Sequence, residues 1–151
     1  MGIQQMHHVS VVVDDLDAAK GFFTELGMEL EDEMPVHGPW VDRINGLDGV
    51  RVDIAMMRTP DGHSRLELTR FRSPALTAAE PGNAPPNTLG LRSVMFAVDD
   101  LRDVLARLRA HGGELIGEVV PYEDIYLLCY VRGPGGIIVA LAEPLKDAVR
   151  P

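Results

Sequence analysis

The sequence predicts an α+β fold: two tandem βαβββ modules forming a mixed, strongly curved sheet around a concave cavity, with the helices outside. Three observations lead there. A shift of 85 positions sets Val13-Asp14-Asp15-Leu16 on Val98-Asp99-Asp100-Leu101, Gly27 on Gly112 and Glu29-Leu30 on Glu114-Leu115. The order of apolar strand, Asp-Asp turn, helix and glycine stop therefore occurs twice. Between the two copies, residues 73–90 carry Pro74, Pro81, Pro85 and Pro86 with few large apolar residues, the composition of a linker. A period this long, present only twice, marks a duplicated pair of modules rather than a solenoid. The expected division is a first module over 1–72, a linker over 73–90 and a second module over 91–151.

Each element follows from local pattern. Residues 6–13 are apolar and β-branched without a breaker and read as a buried strand. Asp14 or Asp15 caps a helix over 17–26, which Gly27 ends. Ala18, Phe22, Phe23 and Leu26 recur at helical spacing and form its buried face. A strand over 28–34 stops at Pro35, Gly38 and Pro39, and 40–45 forms a short helical turn. Residues 50–58 read as a strand, Thr59-Pro60-Asp61-Gly62 as a tight turn and 65–71 as the module's last strand. The second module repeats this with a strand over 91–98 and a helix over 101–111 stopped by Gly112-Gly113. Strands over 115–120 and 125–132, the turn Gly133-Pro134-Gly135-Gly136 and a strand over 137–142 complete it. Pro144 ends regular structure, and the tail to Pro151 is expected to be loose.

Composition narrows the functional classes. At 151 residues and 46% hydrophobic content, the chain can bury a core. No run of about 18 apolar residues occurs, so no membrane span is expected, and no secretory signal is visible at the N-terminus. Cys129 is the single cysteine, which excludes an internal disulfide framework and fits a reducing, cytoplasmic setting. A formal charge of −9 argues against nucleic acid as a partner.

A family resemblance enters at the first strand. His8-Val9-Ser10-Val11-Val12-Val13-Asp14-Asp15-Leu16, followed by Phe22-Phe23 and Leu26-Gly27, resembles the opening of a vicinal oxygen chelate module. That superfamily includes glyoxalase I, methylmalonyl-CoA epimerase, extradiol dioxygenases and bleomycin-resistance proteins, and the resemblance covers residues 5–144. It implies that each module of a metal enzyme gives one ligand from its first strand and one from its last. On this chain His8 and Glu67 fill the first-module positions. The second-module positions fall on Ser93 and Ala140, neither of which is a normal metal ligand. Two protein ligands are fewer than the three usual at a catalytic zinc.

Strand alternation places His8, Ser10 and Val12 on one face, and Arg65, Glu67 and Thr69 on one face. Asp53 is expected on the cavity face with Ala55 and Met57, since Val52, Ile54 and Met56 are the better packers against a helix. His7 is expected to face away from His8, and Glu143 away from Ala140. The cavity is expected to be lined by His8, Ser10, Asp53, Glu67, Ser93, Met95 and Ala140, with Tyr122, Tyr126, Tyr130 and Trp40 as candidate aromatic surface.

Two classes of function remain. The first is a binder of a small molecule that needs no metal, similar to bleomycin-resistance members. The alternative is a metal-dependent lyase or isomerase resembling glyoxalase I or methylmalonyl-CoA epimerase. In that case Glu67 and His8 would be catalytic or would hold zinc, nickel, manganese, cobalt or iron, and the reaction would pass through an enediolate. Metal-free acid–base chemistry by Glu67 with His8 is a further variant. An extradiol dioxygenase fits least, because its iron needs two histidines and a carboxylate. The expected partners are a small-molecule ligand or substrate and a second copy of the chain in a homodimer.

Overall fold

The structure, a computed structural model, describes residues 2–79 and 81–145. The chain divides into two compact units, Met1–Ala78 and Ala79–Pro151. Each holds a four-stranded mixed sheet and a helix laid on it, so the α+β architecture of two βαβββ repeats is observed. Among the described residues no helix is long and apolar enough to cross a membrane.

In the first unit, β1 (Val9–Val12) leads into α1 (Leu16–Leu26), then β2 (Glu29–His37), α2 (Pro39–Asn45), β3 (Arg51–Arg58) and β4 (Arg65–Ser73). The strand order is β1-β4-β3-β2, with β1 parallel to β4 and the other pairs antiparallel. The second unit runs β5 (Ser93–Ala97), α3 (Leu101–Ala110), β6 (Glu114–Tyr122), β7 (Tyr126–Arg132) and β8 (Ile138–Pro144), ordered β5-β8-β7-β6. Among its described residues nothing corresponds to α2. The two parallel pairs repeat one register: Ser10 stands beside Glu67, and Met95, 85 positions on from Ser10, stands beside Ala140.

The Asp-Asp pairs act as caps. The Asp15 carboxylate accepts the Ala18 N–H at 2.9 Å, and Asp100 accepts the Asp103 N–H at 3.1 Å. Both satisfy helix N–H groups that have no partner within the helix. Gly27, at φ 121°, ends α1 by donating its N–H to the carbonyls of Phe23 and Thr24. Asp15→Ala should therefore cost about 0.5–2 kcal/mol. Asp14, whose carboxylate holds no backbone N–H among the described residues, should cost less on the same change. Urea midpoints of the two variants check the difference.

Several boundaries differ from those expected. The first strand begins at Val9 rather than at residue 6. β2 runs through Pro35 to His37 instead of stopping before the proline. It is an edge strand, so one side of it needs no ladder N–H, and proline is tolerated there. The last strand extends to Pro144. The expected loose tail falls on residues outside those described.

One side of the first sheet is closed by α1, whose Leu16, Ala19, Phe22, Phe23 and Leu26 are buried. Ala55, Met57, Leu66 and Leu68 point to that side and are at most 3% exposed. Lys20 of α1 fixes the assignment, because it reaches Glu33, the cross-strand partner of Ala55. The opposite side is open over much of its length. At one end α2 covers it, with Val41 packed against Val50 and Val52 and flanked by Val36, Ile54 and Phe71. Asp42 ties α2 down by accepting the N–H groups of Gly49 and Val50 at 3.0 and 2.8 Å.

Candidate functional site

β1 and β4 lie side by side in parallel, and that register brings the first-module candidates together. On the open side, Glu67 Oε2 lies 3.4 Å from His8 Nε2. Glu67 Oε1 accepts hydrogen bonds from the Ser10 and Thr69 hydroxyls, each at 3.0 Å. The His8 and Glu67 side chains are 29% and 20% exposed, open enough to meet a ligand and closed enough to be held. Buried Leu66 and Leu68 on either side of Glu67 anchor β4 and aim the carboxylate outward.

Two residues outside the expected cavity lining take part. Thr69 shares the face of Glu67 by alternation, and its hydroxyl fixes one carboxylate oxygen. Met56, the cross-strand partner of Glu67, stands on the open side beside it and not under α1. Farther along the same face, Arg65 grips Glu31 in a two-pronged contact at 2.9–3.2 Å. The Arg65 hydrogen bonds hold the Glu31 carboxyl below its ordinary range. Glu31 reaches this face because the β2–β3 register shifts between Leu30 and Asp32.

His7 does not face away from His8. Both residues precede β1, where strand alternation does not yet apply. Their rings meet edge-on at 77°, with Nδ1 to Nδ1 at 2.7 Å. One Nδ1 must carry the proton and the other must accept it. If His8 accepts there, its Nε2–H is directed at Glu67. The result is a chain from His7 through His8 to Glu67.

Asp53 is not on this face. It is three residues from Met56, so it points to the α1 side, where it pairs with Arg72 at 2.6 Å. The sequence reading grouped it correctly with Ala55 and Met57 but took their side for the cavity. The apolar residues of β3 have two covers, α1 over Ala55 and Met57 and α2 over Val52 and Ile54. A cavity of about 840 Å³ does lie on the α1 side of this unit, and Asp53 lines it together with Asp14, Arg51, Arg70 and Arg72.

In the second unit the corresponding positions carry no strong ligand. Ser93 pairs with Ile138, and Met95, Ala140 and Tyr130 form one rung across β5, β8 and β7. Met95 and Tyr130 are exposed, whereas Ala140 is 1% exposed. Glu143 points to the helix side and accepts the Leu101 N–H at 2.7 Å, adding to the cap of α3. Cys129 is buried, and desolvation pushes its thiol up, which makes it a packed thiol rather than a nucleophile.

The His8–Glu67 pair can be tested as half of a metal centre. Two ligands each about 2.1 Å from a tetrahedral zinc stand roughly 3.4 Å apart, so the pair has a suitable span. The rest of the donor set does not fit. Among the described residues no three His, Cys, Asp or Glu side chains converge to hold an ion. His7 spends its Nδ1 on His8, and hydroxyl donors occupy one Glu67 oxygen.

Comparison with known proteins agrees with this architecture. The family model described as Glyoxalase/Bleomycin resistance protein/Dioxygenase superfamily matches residues 5–141. A glyoxalase family protein from Bacillus cereus is 50% identical in sequence, with a TM-score of 0.91 over 96% of this chain and 97% of that one. YaeR of Escherichia coli (strain K12), itself uncharacterized, is 27% identical over 112 residues, 74% of each chain. TnmS3, an antibiotic binding protein from Streptomyces sp. CB03234, is 23% identical, with a TM-score of 0.59 over 95% of this chain and 98% of that one. At that identity the likeness to TnmS3 is one of fold alone.

Proposed function

Because this chain belongs to the Glyoxalase/Bleomycin resistance protein/Dioxygenase superfamily, we propose that it binds a small polar molecule on the open face of its first sheet, over His8, Ser10 and Glu67, without a metal. One observation carries the reading. Glu67 is held by two hydroxyls and faced by His8, a network complete without an ion. Its free carboxylate lone pairs and the imidazole edge offer an acceptor and a donor to a guest. Met56 beside them supplies adaptable apolar surface. A guest bearing an amine or amide suits Glu67, and the chain's formal charge of −9 favours a cationic one.

Two measurements test this. In calorimetry at about pH 7.5, above the ordinary imidazole range of about 6.5, zinc, nickel and manganese should bind no tighter than about a micromolar. One tightly held equivalent would overturn the metal-free reading and bring the lyase or isomerase forward. In thermal unfolding, a true ligand at about 100 times its Kd should add about 2.7 kcal/mol. A chelator should leave that gain intact and Glu67→Gln should remove it.

A second reading is favoured by the run of contacts from His7, hydrogen-bonded to His8, to Glu67, 3.4 Å from His8. A carboxylate facing an imidazole that is itself backed by another imidazole is suited to moving a proton at a carbonyl substrate. Turnover that survives a chelator and falls with Glu67→Gln would mark the protein as a metal-free acid–base catalyst rather than a binder.

A further inference from the structure

The cavity on the α1 side of the first sheet lies across β3 and β4 from the His8–Glu67 network. At about 840 Å³ it falls within the range of small-molecule sites. Its lining carries five carboxylates and three arginines, and these groups differ in how fully they are engaged. Lys20 engages both Asp17 and Glu33. Asp15 caps α1, and Asp53 is paired with Arg72. Of the carboxylates around this cavity, Asp14 is left without a hydrogen bond or ion pair to its side chain among the described residues.

The arginines have more to spare. Arg51 is exposed, and its side chain makes no hydrogen bond or ion pair with any described residue. Arg70 is half-buried, and its Nε donates to the Asp14 backbone carbonyl at 3.1 Å, a partner that carries no charge. That bond orients the guanidinium and leaves both terminal amino groups without a protein acceptor among the described residues. The register sets the two arginines together. Arg70 stands opposite Asp53, and Arg51 is two positions along β3 on the same face. A bulge lies between Arg51 and Val52 in this ladder, and both arginines line the one cavity, so both forks can meet a ligand held there. The positive end of α1 opens beside them at Asp15 and Leu16.

We propose that this groove is a second binding site, which takes a small, multiply charged oxyanion between Arg51 and Arg70. Guanidinium forks match the paired oxygens of phosphate and carboxylate groups. The chain's overall negative charge opposes any anion, but at physiological salt its field is screened beyond about 8 Å. Inside the cavity the nearby carboxylates, Asp14 among them, oppose an anion, so binding depends on both guanidinium groups engaging it.

The test is calorimetry with pyrophosphate and, separately, citrate, at about 0.15 M salt. The unaltered protein should bind at least one of them at one equivalent; preference for pyrophosphate identifies a phosphate-bearing ligand, and preference for citrate a carboxylate-bearing one. Arg51→Gln and Arg70→Gln should each weaken binding about tenfold or more, because each removes a charge-assisted contact. Arg58→Gln takes the same charge from the far end of β3, seven residues and about 23 Å along the strand from Arg51, and should change affinity by less than about twofold. The Arg51 side chain has no hydrogen bond or ion pair to lose among the described residues, so its variant should keep the fold and remain informative if Arg70→Gln does not. Failure of both anions to bind the unaltered protein overturns the proposal. So does an equal loss from Arg58→Gln and Arg51→Gln.

Discussion

Phe23→Ala should cost about 3–5 kcal/mol of unfolding free energy, lowering the midpoint of thermal unfolding by roughly 10 °C. Phe23 is 0% exposed and Phe22 is 1% exposed. Their rings contact edge-to-face, with centroids 5.1 Å apart and planes at 73°, so truncation removes an aromatic pair as well as buried area. Collapse around the void is restricted because the same layer holds Met57 and Leu68, both 0% exposed and both on hydrogen-bonded strands. Phe23→Leu keeps most of the volume and should cost about half as much or less. Calorimetric or denaturant unfolding of the three proteins decides the matter. A Phe23→Ala midpoint within a degree of the unaltered protein would mean that α1 does not close this side of the sheet.

Those phenylalanines were legible in the sequence because α1 buries one simple helical stripe on one sheet face. The pairing of His8 with Glu67 is what the family resemblance implies, one residue from the first strand and one from the last, and the parallel β1–β4 register brings the two together. The errors arose where a second influence acts. Asp53 was put on the wrong side because α2 gives Val52 and Ile54 a cover of their own on the open face, so apolar character along β3 no longer marks a single side. His7 lies beside His8 because no ladder constrains the backbone ahead of Val9, and strand alternation does not hold there. Thr69 was found on the right face, but its hydrogen bond to Glu67 depends on a side-chain rotation that a linear pattern does not carry. The arginine groove was invisible for a related reason. It needs the β3–β4 register with its irregularity between Arg51 and Val52, and it needs the knowledge that neighbouring carboxylates are already engaged.

Ala140→Glu should be more damaging than any surface change in this chain, and the damage should grow as pH rises. Ala140 is the second-unit counterpart of Glu67 in register, yet it is itself 1% exposed on the rung it shares with Met95 and Tyr130. A glutamate there overfills a packed position, at about 1–3 kcal/mol, and a buried carboxylate without a partner costs several kcal/mol more. Ala140→Gln separates the two contributions, having nearly the same volume and no charge. The sign follows from proton binding. Burial raises the folded-state pKa of the new carboxyl above its unfolded value of about 4.3, so between those two values the native state holds more protons than the unfolded state. Stability of the glutamate variant then falls as pH increases, by about 1.4 kcal/mol per unit until the raised pKa is passed. From about pH 5.5 to 7.5 the gap between the glutamate and glutamine variants should widen by up to about 2.7 kcal/mol. Parallel stability curves for the two would mean that the side chain escapes to water and that the position tolerates a carboxylate. A widening gap would mean that this rung of β5, β8 and β7 is built as apolar packing, leaving the polar chemistry of the open face to His8 and Glu67 in the first unit.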